Sequence, residues 1–210
     1  MSSRREALLA LGAATLLAAC GRKQKLAAIP RGATVLAFGD SVTFGTGAAK
    51  GEDWPTQLGA ATGWNVINGG VPGDTAEAGR ARLPGLLETH RPALVLVEIG
   101  GNDFLRRRGQ VAVMADIRAM LAAVRQSGAR AVLIAVPELS LLGALTRRPS
   151  DAPIYAELGK EEGVPVIADV FADILGKPEL CADQIHPNAA GYRQFANQLK
   201  AGLTALGLAA

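Results

Sequence analysis

Five short aliphatic runs punctuate the chain, at 34–38, 65–68, 93–99, 131–136 and 165–168. Valine, leucine and isoleucine dominate them, and polar residues do not alternate with the apolar ones. That pattern predicts parallel strands buried on both faces rather than strands with one wet side. Between the runs, apolar residues recur at helical spacing near 53–62, 75–90, 111–127 and 152–162, with a last helix near 189–206. Asp74 or Thr75 is placed to cap the second of these helices and Asn188 the last. Strands alternating with helices predict βαβ units and an open, doubly wound sheet. Right-handed crossovers put every strand's C-terminal end on one edge, where such sheets bind ligands. Ser41, Gly70, Gly73, Asn102 and the 137–150 loop all follow strand ends, so topology alone gathers them there.

Length and composition narrow the class. A chain of 210 residues makes one domain with a substantial core. Nearly half the residues are hydrophobic but only 4% are aromatic, and the net charge is a modest +3 without a lysine-rich tract. An aliphatic α/β protein fits better than a nucleic-acid binder with stacking platforms, so no nucleic-acid partner is expected. The two cysteines and two histidines lie far apart without ligand spacing, and no metal or other cofactor is expected.

The amino terminus departs from this globular pattern. Arg4 and Arg5 precede an uncharged run from Ala7 to Ala19, too short for a comfortable membrane span and ending in small residues. Residues 1–19 therefore read as a secretory signal, and the arginine pair in SRREALL resembles part of a twin-arginine export signal. Leu17-Ala18-Ala19-Cys20 resembles a bacterial lipobox, in which the cysteine is lipidated and becomes the new terminus. Removing residues 1–19 takes away two arginines and one glutamate and leaves +2. Residues 20–32, basic and polar from Gly21 to Arg31, read as a tether from a lipid on Cys20 to a domain spanning 33–210. With Cys20 lipidated, Cys181 has no disulfide partner. These features predict an exported lipoprotein on the periplasmic side, anchored to a membrane and monomeric.

Candidate chemistry lies at the strand ends. The first apolar run stops abruptly in Gly39-Asp40-Ser41, a strand feeding a tight turn with a hydroxyl at its mouth. A serine is a poor nucleophile until a base takes its proton. His90 approaches the third strand from its N-terminal end, on the wrong edge. His186 follows the fifth strand, three residues after Asp183, whose carboxylate can orient the imidazole and stabilise its charged form. An oxyanion in a tetrahedral intermediate needs preorganised donors. The Ser41 N–H, the Gly73 N–H and the Asn102 side-chain amide are the candidates.

Four ordered blocks carry a family resemblance: GDSVTFG, NGGVPGDT, ARLPGLLETHRPALVLVEIGGND and DQIHPNAAGY. The chain resembles the SGNH (GDSL-type) hydrolases over roughly residues 33–206. It is especially similar to their bacterial periplasmic acyl-CoA thioesterase, lysophospholipase and arylesterase group. The resemblance implies a flavodoxin-like three-layer α/β/α sandwich around a five-stranded parallel sheet. It implies that Ser41 is the nucleophile, His186 the base and Asp183 the orienting acid, with Ser41, Gly73 and Asn102 forming the oxyanion hole. The activity implied is hydrolysis of small-molecule acyl esters or thioesters, such as aryl esters and lysophospholipids, through an acyl-enzyme.

Two other readings use the same fold. A carbohydrate or peptidoglycan O-deacetylase would need a small polar pocket, against which the leucine-rich 139–145 segment argues. A mononucleotide at the same sheet edge, as in flavodoxin, would leave the serine, histidine and aspartate without a role. The segment Glu138–Pro149, with Leu139, Leu141, Leu142 and Leu145, is expected to shape an acyl pocket. Arg106, Arg107 and Arg108, with Arg147 and Arg148, are expected to rim the catalytic edge and attract anionic substrates.

Overall fold

The computed structural model describes residues 26–138 and 149–210. The signal, Cys20 and the leucines at 139–145 lie outside the described residues, as do Arg147 and Arg148. Five strands form one parallel sheet: β1 (Thr34–Gly39), β2 (Asn65–Gly70), β3 (Leu94–Glu98), β4 (Arg130–Ile134) and β5 (Val166–Ile167), in the order β2-β1-β3-β4-β5. The central strands β1 and β3 are buried along nearly their whole length, which explains their unbroken aliphatic runs. β2 is an edge strand and half open, while β5 is only two residues long.

The helices follow from the topology. Five match the periodic segments: α2 (Trp54–Thr62), α3 (Ala76–His90), α5 (Gln110–Gln126), α6 (Pro153–Glu162) and α8 (Ala189–Ala205). Right-handed crossovers from β2 to β3, β3 to β4 and β4 to β5 all move in one direction, so α3, α5 and α6 share a face. The step from β1 to β2 runs the other way and places α2 on the opposite face, where α8 packs beside it. The result is the expected flavodoxin-like three-layer sandwich. Thr75 caps α3 by accepting from Ala78 N–H, and Asn188 caps α8 by accepting from Gly191 N–H. Among the described residues three short helices escape sequence periodicity because none completes two turns: α1 (Ser41–Phe44), α4 (Gly101–Leu105) and α7 (Val170–Leu175). Two of them, α1 and α4, start at strand ends and carry Ser41 and Asn102.

The segment ahead of β1 is fixed to the far side of the molecule. Leu26 N–H donates to Leu206 O and Ile29 N–H to Leu208 O, both at 2.9 Å. The Trp64 indole N–H donates to Ile29 O at 3.2 Å, and Ile29 is itself core. The stretch that reads as a tether is therefore held against the domain from Leu26 onward, at the N-terminal edge of the sheet.

Candidate active site

Ser41 is placed by the abrupt end of β1. A Cβ on Gly39 would lie 2.1 Å from Glu98 O and 2.2 Å from Thr43 Oγ1, so only glycine lets β1 turn this tightly beside β3. Asp40 then caps α1, its Oδ1 accepting from Val42 N–H at 3.1 Å. Ser41 thus heads a helix at the C-terminal edge of the sheet.

His186 and Asp183 arrive on the loop before α8. Asp183 Oδ1 accepts from the backbone N–H groups of Ile185 and His186, both at 2.8 Å. Its Oδ2 lies 2.7 Å from His186 Nδ1, and His186 Nε2 lies 3.0 Å from Ser41 Oγ. Burial pushes the Asp183 carboxyl upward, but the imidazole and the two backbone donors outweigh it and hold the pKa below its ordinary value. This carboxylate stays ionised beside the ring. The loop is fastened by Asn188, whose amide donates to Glu179 O at 2.9 Å, and by Ala182 N–H donating to His186 O at 2.9 Å. Gly47 lets the chain after α1 pass close beneath it: a Cβ there would meet Pro187 O at 2.5 Å. Tyr192 on α8 donates its hydroxyl to Thr46 O at 2.7 Å and ties the same two segments.

Asn102 enters from β3 through Gly100, whose φ of 123° suits only glycine. Its side-chain amide donates to Asp40 Oδ2 at 3.1 Å and to Asp74 O at 3.0 Å. Gly73, at φ 84°, has open space where a Cβ would project. It does not line the groove beside Ser41; Arg106 donates to its carbonyl at 3.2 Å, and its neighbour Asp74 holds Asn102. The next residue, Asp103, is fully buried and accepts from Ala76 N–H at 2.7 Å, locking α4 to the start of α3.

Three groups at the site were not legible in the sequence. Arg82, one of many polar positions on α3, turns its guanidinium inward over the Phe38 ring at 4.2 Å. It donates to Gly39 O and Gly69 O, each at 2.8 Å, and to Asp74 Oδ2 at 2.5 Å. One side chain therefore joins the end of β1, the end of β2 and the Gly73-Asp74 turn. The other two are carboxyls. Burial pushes Asp40 up to about 6, against its hydrogen bond from Val42, the His186 charge and the Asn102 amide. Glu98, fully buried at the end of β3, is pushed well above the carboxylate range by burial and then by the Asp40 charge. It accepts from Thr43 Oγ1 at 2.7 Å, so a hydroxyl donor faces the carboxyl that burial holds toward its neutral form. In the sequence Asp40 is only the residue before Ser41, and Glu98 is one position inside the apolar run 93–99.

Asp40, Ser41, Asn102 and His186 open into a groove of roughly 370 Å³, its solvent-open mouth included. Its apolar wall comes from Val42, Leu105, Val136, Phe171, Leu175 and Ile185. The arginine cluster divides. Arg106 stands at the Gly73 turn, but Arg108 is drawn away by Asp103 at 3.0 Å and Asp116 at 2.6 Å and is not a free rim charge.

A serine, histidine and aspartate in line at the strand ends of a flavodoxin-like sheet, with an asparagine amide beside the serine, define an SGNH hydrolase. The chain belongs to the GDSL-like lipase/acylhydrolase family, whose profile matches residues 37–194. It is 35% identical over 162 residues to thioesterase 1/protease 1/lysophospholipase L1 of Escherichia coli strain K12, covering 74% of this chain and 76% of that protein. It is 33% identical over 161 residues to an arylesterase of Vibrio mimicus, covering 73% and 79%. The solved structure of TesA superposes with a TM-score of 0.73 at 28% identity, covering 82% of this chain and 99% of TesA.

Proposed function

We propose that this hydrolase cleaves medium-chain acyl esters and thioesters, aryl esters and lysophospholipids among them, through an acyl-enzyme on Ser41. The carrying observation is the line from Ser41 Oγ to His186 Nε2 at 3.0 Å and from His186 Nδ1 to Asp183 Oδ2 at 2.7 Å. His186 takes the Ser41 proton as Oγ attacks the acyl carbonyl, and Asp183 stabilises the imidazolium that forms. The carbonyl oxygen becomes an oxyanion that receives the Ser41 N–H and an Asn102 amide hydrogen, both of which border the groove. Asp40 and Asp74 hold that amide in place beforehand, and the oxyanion shares one of its hydrogens. His186 then returns the proton to the leaving oxygen or sulfur. Water repeats the sequence on the acyl-enzyme and releases the acid.

The substrate class rests on the groove and the relatives. Six aliphatic or aromatic side chains beside Ser41 favour an acyl chain over a sugar hydroxyl field. Each buried methylene contributes roughly 0.8 kcal/mol, so kcat/KM should rise from acetyl to medium-chain esters. A panel of p-nitrophenyl esters of rising chain length, run beside acyl-CoA and lysophospholipid, tests this. A strong preference for acetyl esters would overturn it in favour of an O-deacetylase.

The same reading places the enzyme outside the cytoplasm. Residues 1–19 are an export signal, Cys20 carries the lipid that holds the mature chain to a membrane, and the domain works in the periplasm as a monomer. Mass spectrometry of the mature amino terminus tests the anchor: an unmodified Cys20 discards it.

A further inference from the structure

If Cys20 is the anchor, the fold dictates which way the active site points. Leu26 is hydrogen-bonded to Leu206, just past the C-terminal end of α8, whereas His186 lies two residues before Asn188, the cap at the other end. The 17 residues of α8 separate these points by about 26 Å. Only six residue steps join Cys20 to Leu26, a reach of at most about 21 Å when fully extended. The tether is thus shorter than the helix it would have to run along to bring the catalytic edge to its own membrane.

The edge nearest the anchor has a matching charge. Arg31 precedes β1 and Arg91 precedes β3; both are exposed, and Arg130, half-buried, opens β4. All three therefore stand at the N-terminal edge of the sheet. None forms an ion pair among the described residues. Glu161 and Glu162, at the same end of α6, are taken by Arg118 and Arg125, which leaves Glu88 on the last turns of α3 as the free counter-charge. Arg22, Lys23 and Lys25 add positive charge to the sequence between Cys20 and the domain. Clusters of arginine and lysine next to a membrane anchor favour anionic lipid.

We propose that the N-terminal edge of the sheet docks on the anionic bilayer that holds the Cys20 lipid. The groove at Ser41 then opens away from that bilayer and takes acyl esters presented from the aqueous space, as free molecules, micelles or a facing surface, rather than lipids of its own leaflet. The proposal rests on the lipoprotein reading above, and its test separates the two.

The full mature chain, its Cys20 lipid verified by mass spectrometry, is reconstituted in phosphatidylglycerol-containing vesicles. A soluble p-nitrophenyl ester should be hydrolysed as fast as in detergent. A non-exchanging fluorogenic acyl ester in the same vesicles should be cleaved about tenfold or more slowly than by a form carrying a flexible Gly/Ser insert after Lys25. An insert of about 20 residues adds roughly 25 Å of reach and lets the domain turn over. A fluorescent phosphonate on Ser41 reads the height of the groove. Energy transfer to headgroup acceptors should be weak in the native chain and stronger when Arg31→Glu, Arg91→Glu and Arg130→Glu are combined. Unmodified Cys20 overturns the anchor and this proposal with it. A lipidated native chain that cleaves the embedded ester as fast as the long-tether form overturns the orientation alone, and equal energy transfer in native and reversed chains overturns the basic face as its cause.

Discussion

Replacing Arg82 by methionine keeps an aliphatic stem against Phe38 but removes the group that joins β1, β2 and the Gly73 turn. Three hydrogen bonds are lost, two of them to backbone carbonyls that close the strand ends. Bonds from a charged donor contribute about 1.5–3 kcal/mol each. Arg82 keeps 24% of its side chain in water, so solvent can reach the freed acceptors and the lower value applies. The two bonds to backbone carbonyls alone give a loss of about 3 kcal/mol, or a Tm lower by about 6–12 °C for a chain of this size. The catalytic consequence is distinct. Gly39 precedes Asp40 and Ser41, and Asp74 holds Asn102, so the proposed oxyanion donors lose their common brace. A displacement near 1 Å costs up to about 10²-fold. We expect kcat for p-nitrophenyl butyrate to fall by about 10- to 100-fold with KM within a factor of about three, because the acyl groove is untouched. Arg82→Lys, able to reach one carbonyl, should fall between the two. Steady-state kinetics well below each variant's Tm, beside thermal unfolding followed by circular dichroism, separate the effects. A variant that loses the stability but keeps kcat within twofold would refute the positioning role and leave Arg82 a structural clamp.

Other substitutions have equally definite outcomes. Ser41→Ala should lower kcat by about 10⁴-fold or more with the far-UV spectrum unchanged, and adding His186→Ala should cost almost nothing further, as members of one catalytic unit are non-additive; additive losses in the double variant would separate the two residues. Asp40 has its folded pKa raised to about 6 from an ordinary 3.8, so its contribution to stability is full below pH 4 and is lost as pH rises through 6, by about 3 kcal/mol in all. Urea unfolding from pH 4 to 7 should show that decline in the native chain and not in Asp40→Asn. Asp183 has the opposite sign: its lowered pKa gives stability above pH 4 that disappears only as pH falls further. Gly70→Ala would put a Cβ 2.2 Å from Phe44 N and should destabilise by about 1–3 kcal/mol while displacing α1, read as a lower unfolding midpoint and a lower kcat together.

What the sequence revealed and what it hid follow one physical line. β1, β3 and β4 are read from aliphatic runs because burial on both faces forbids polar alternation. Ser41 and Asn102 are found because each stands beside a glycine at a strand end, Asp183 and His186 because they lie three residues apart while His90 sits on the wrong edge; the structure brings Asp183, His186 and Ser41 into one line and ties Asn102 to Asp40, next to Ser41. Long-range polar contacts leave no such trace. Arg82 looks like any polar helix residue until α3 is laid across β1, and Glu98 is passed over inside the apolar run 93–99 although it is a fully buried carboxyl. The helices α1 and α4 are too short for periodicity; they exist because a strand ends and a capped turn begins. The apolar wall expected from Leu139 to Leu145 lies outside the described residues, and the wall that is described draws on α4, α7 and the end of β4 instead.

The two halves of the site are mounted differently, and this bears on how it works. Ser41, Asn102 and the Gly73 turn are cross-braced: Arg82 spans β1 and β2, Asp103 joins α4 to α3, and the Asn102 amide bridges Asp40 and Asp74. These ties run between the strand ends and the helices that follow them, so Ser41 and the proposed oxyanion donors share one frame. His186 and Asp183 belong instead to a loop closed on itself by Asn188 and Ala182, joined to the rest through α8, the Tyr192 hydroxyl and the close pass of Gly47. Asp183 keeps 53% of its side chain exposed, whereas Asp40 and Glu98 are sealed. Such a division suits the chemistry. Oxyanion stabilisation depends on donors that do not reorganise during reaction, and the braced half supplies that. In the proposed reaction the histidine has to face Ser41 Oγ in one step and the leaving group in the next, a small excursion that a separately held loop permits without loosening the frame.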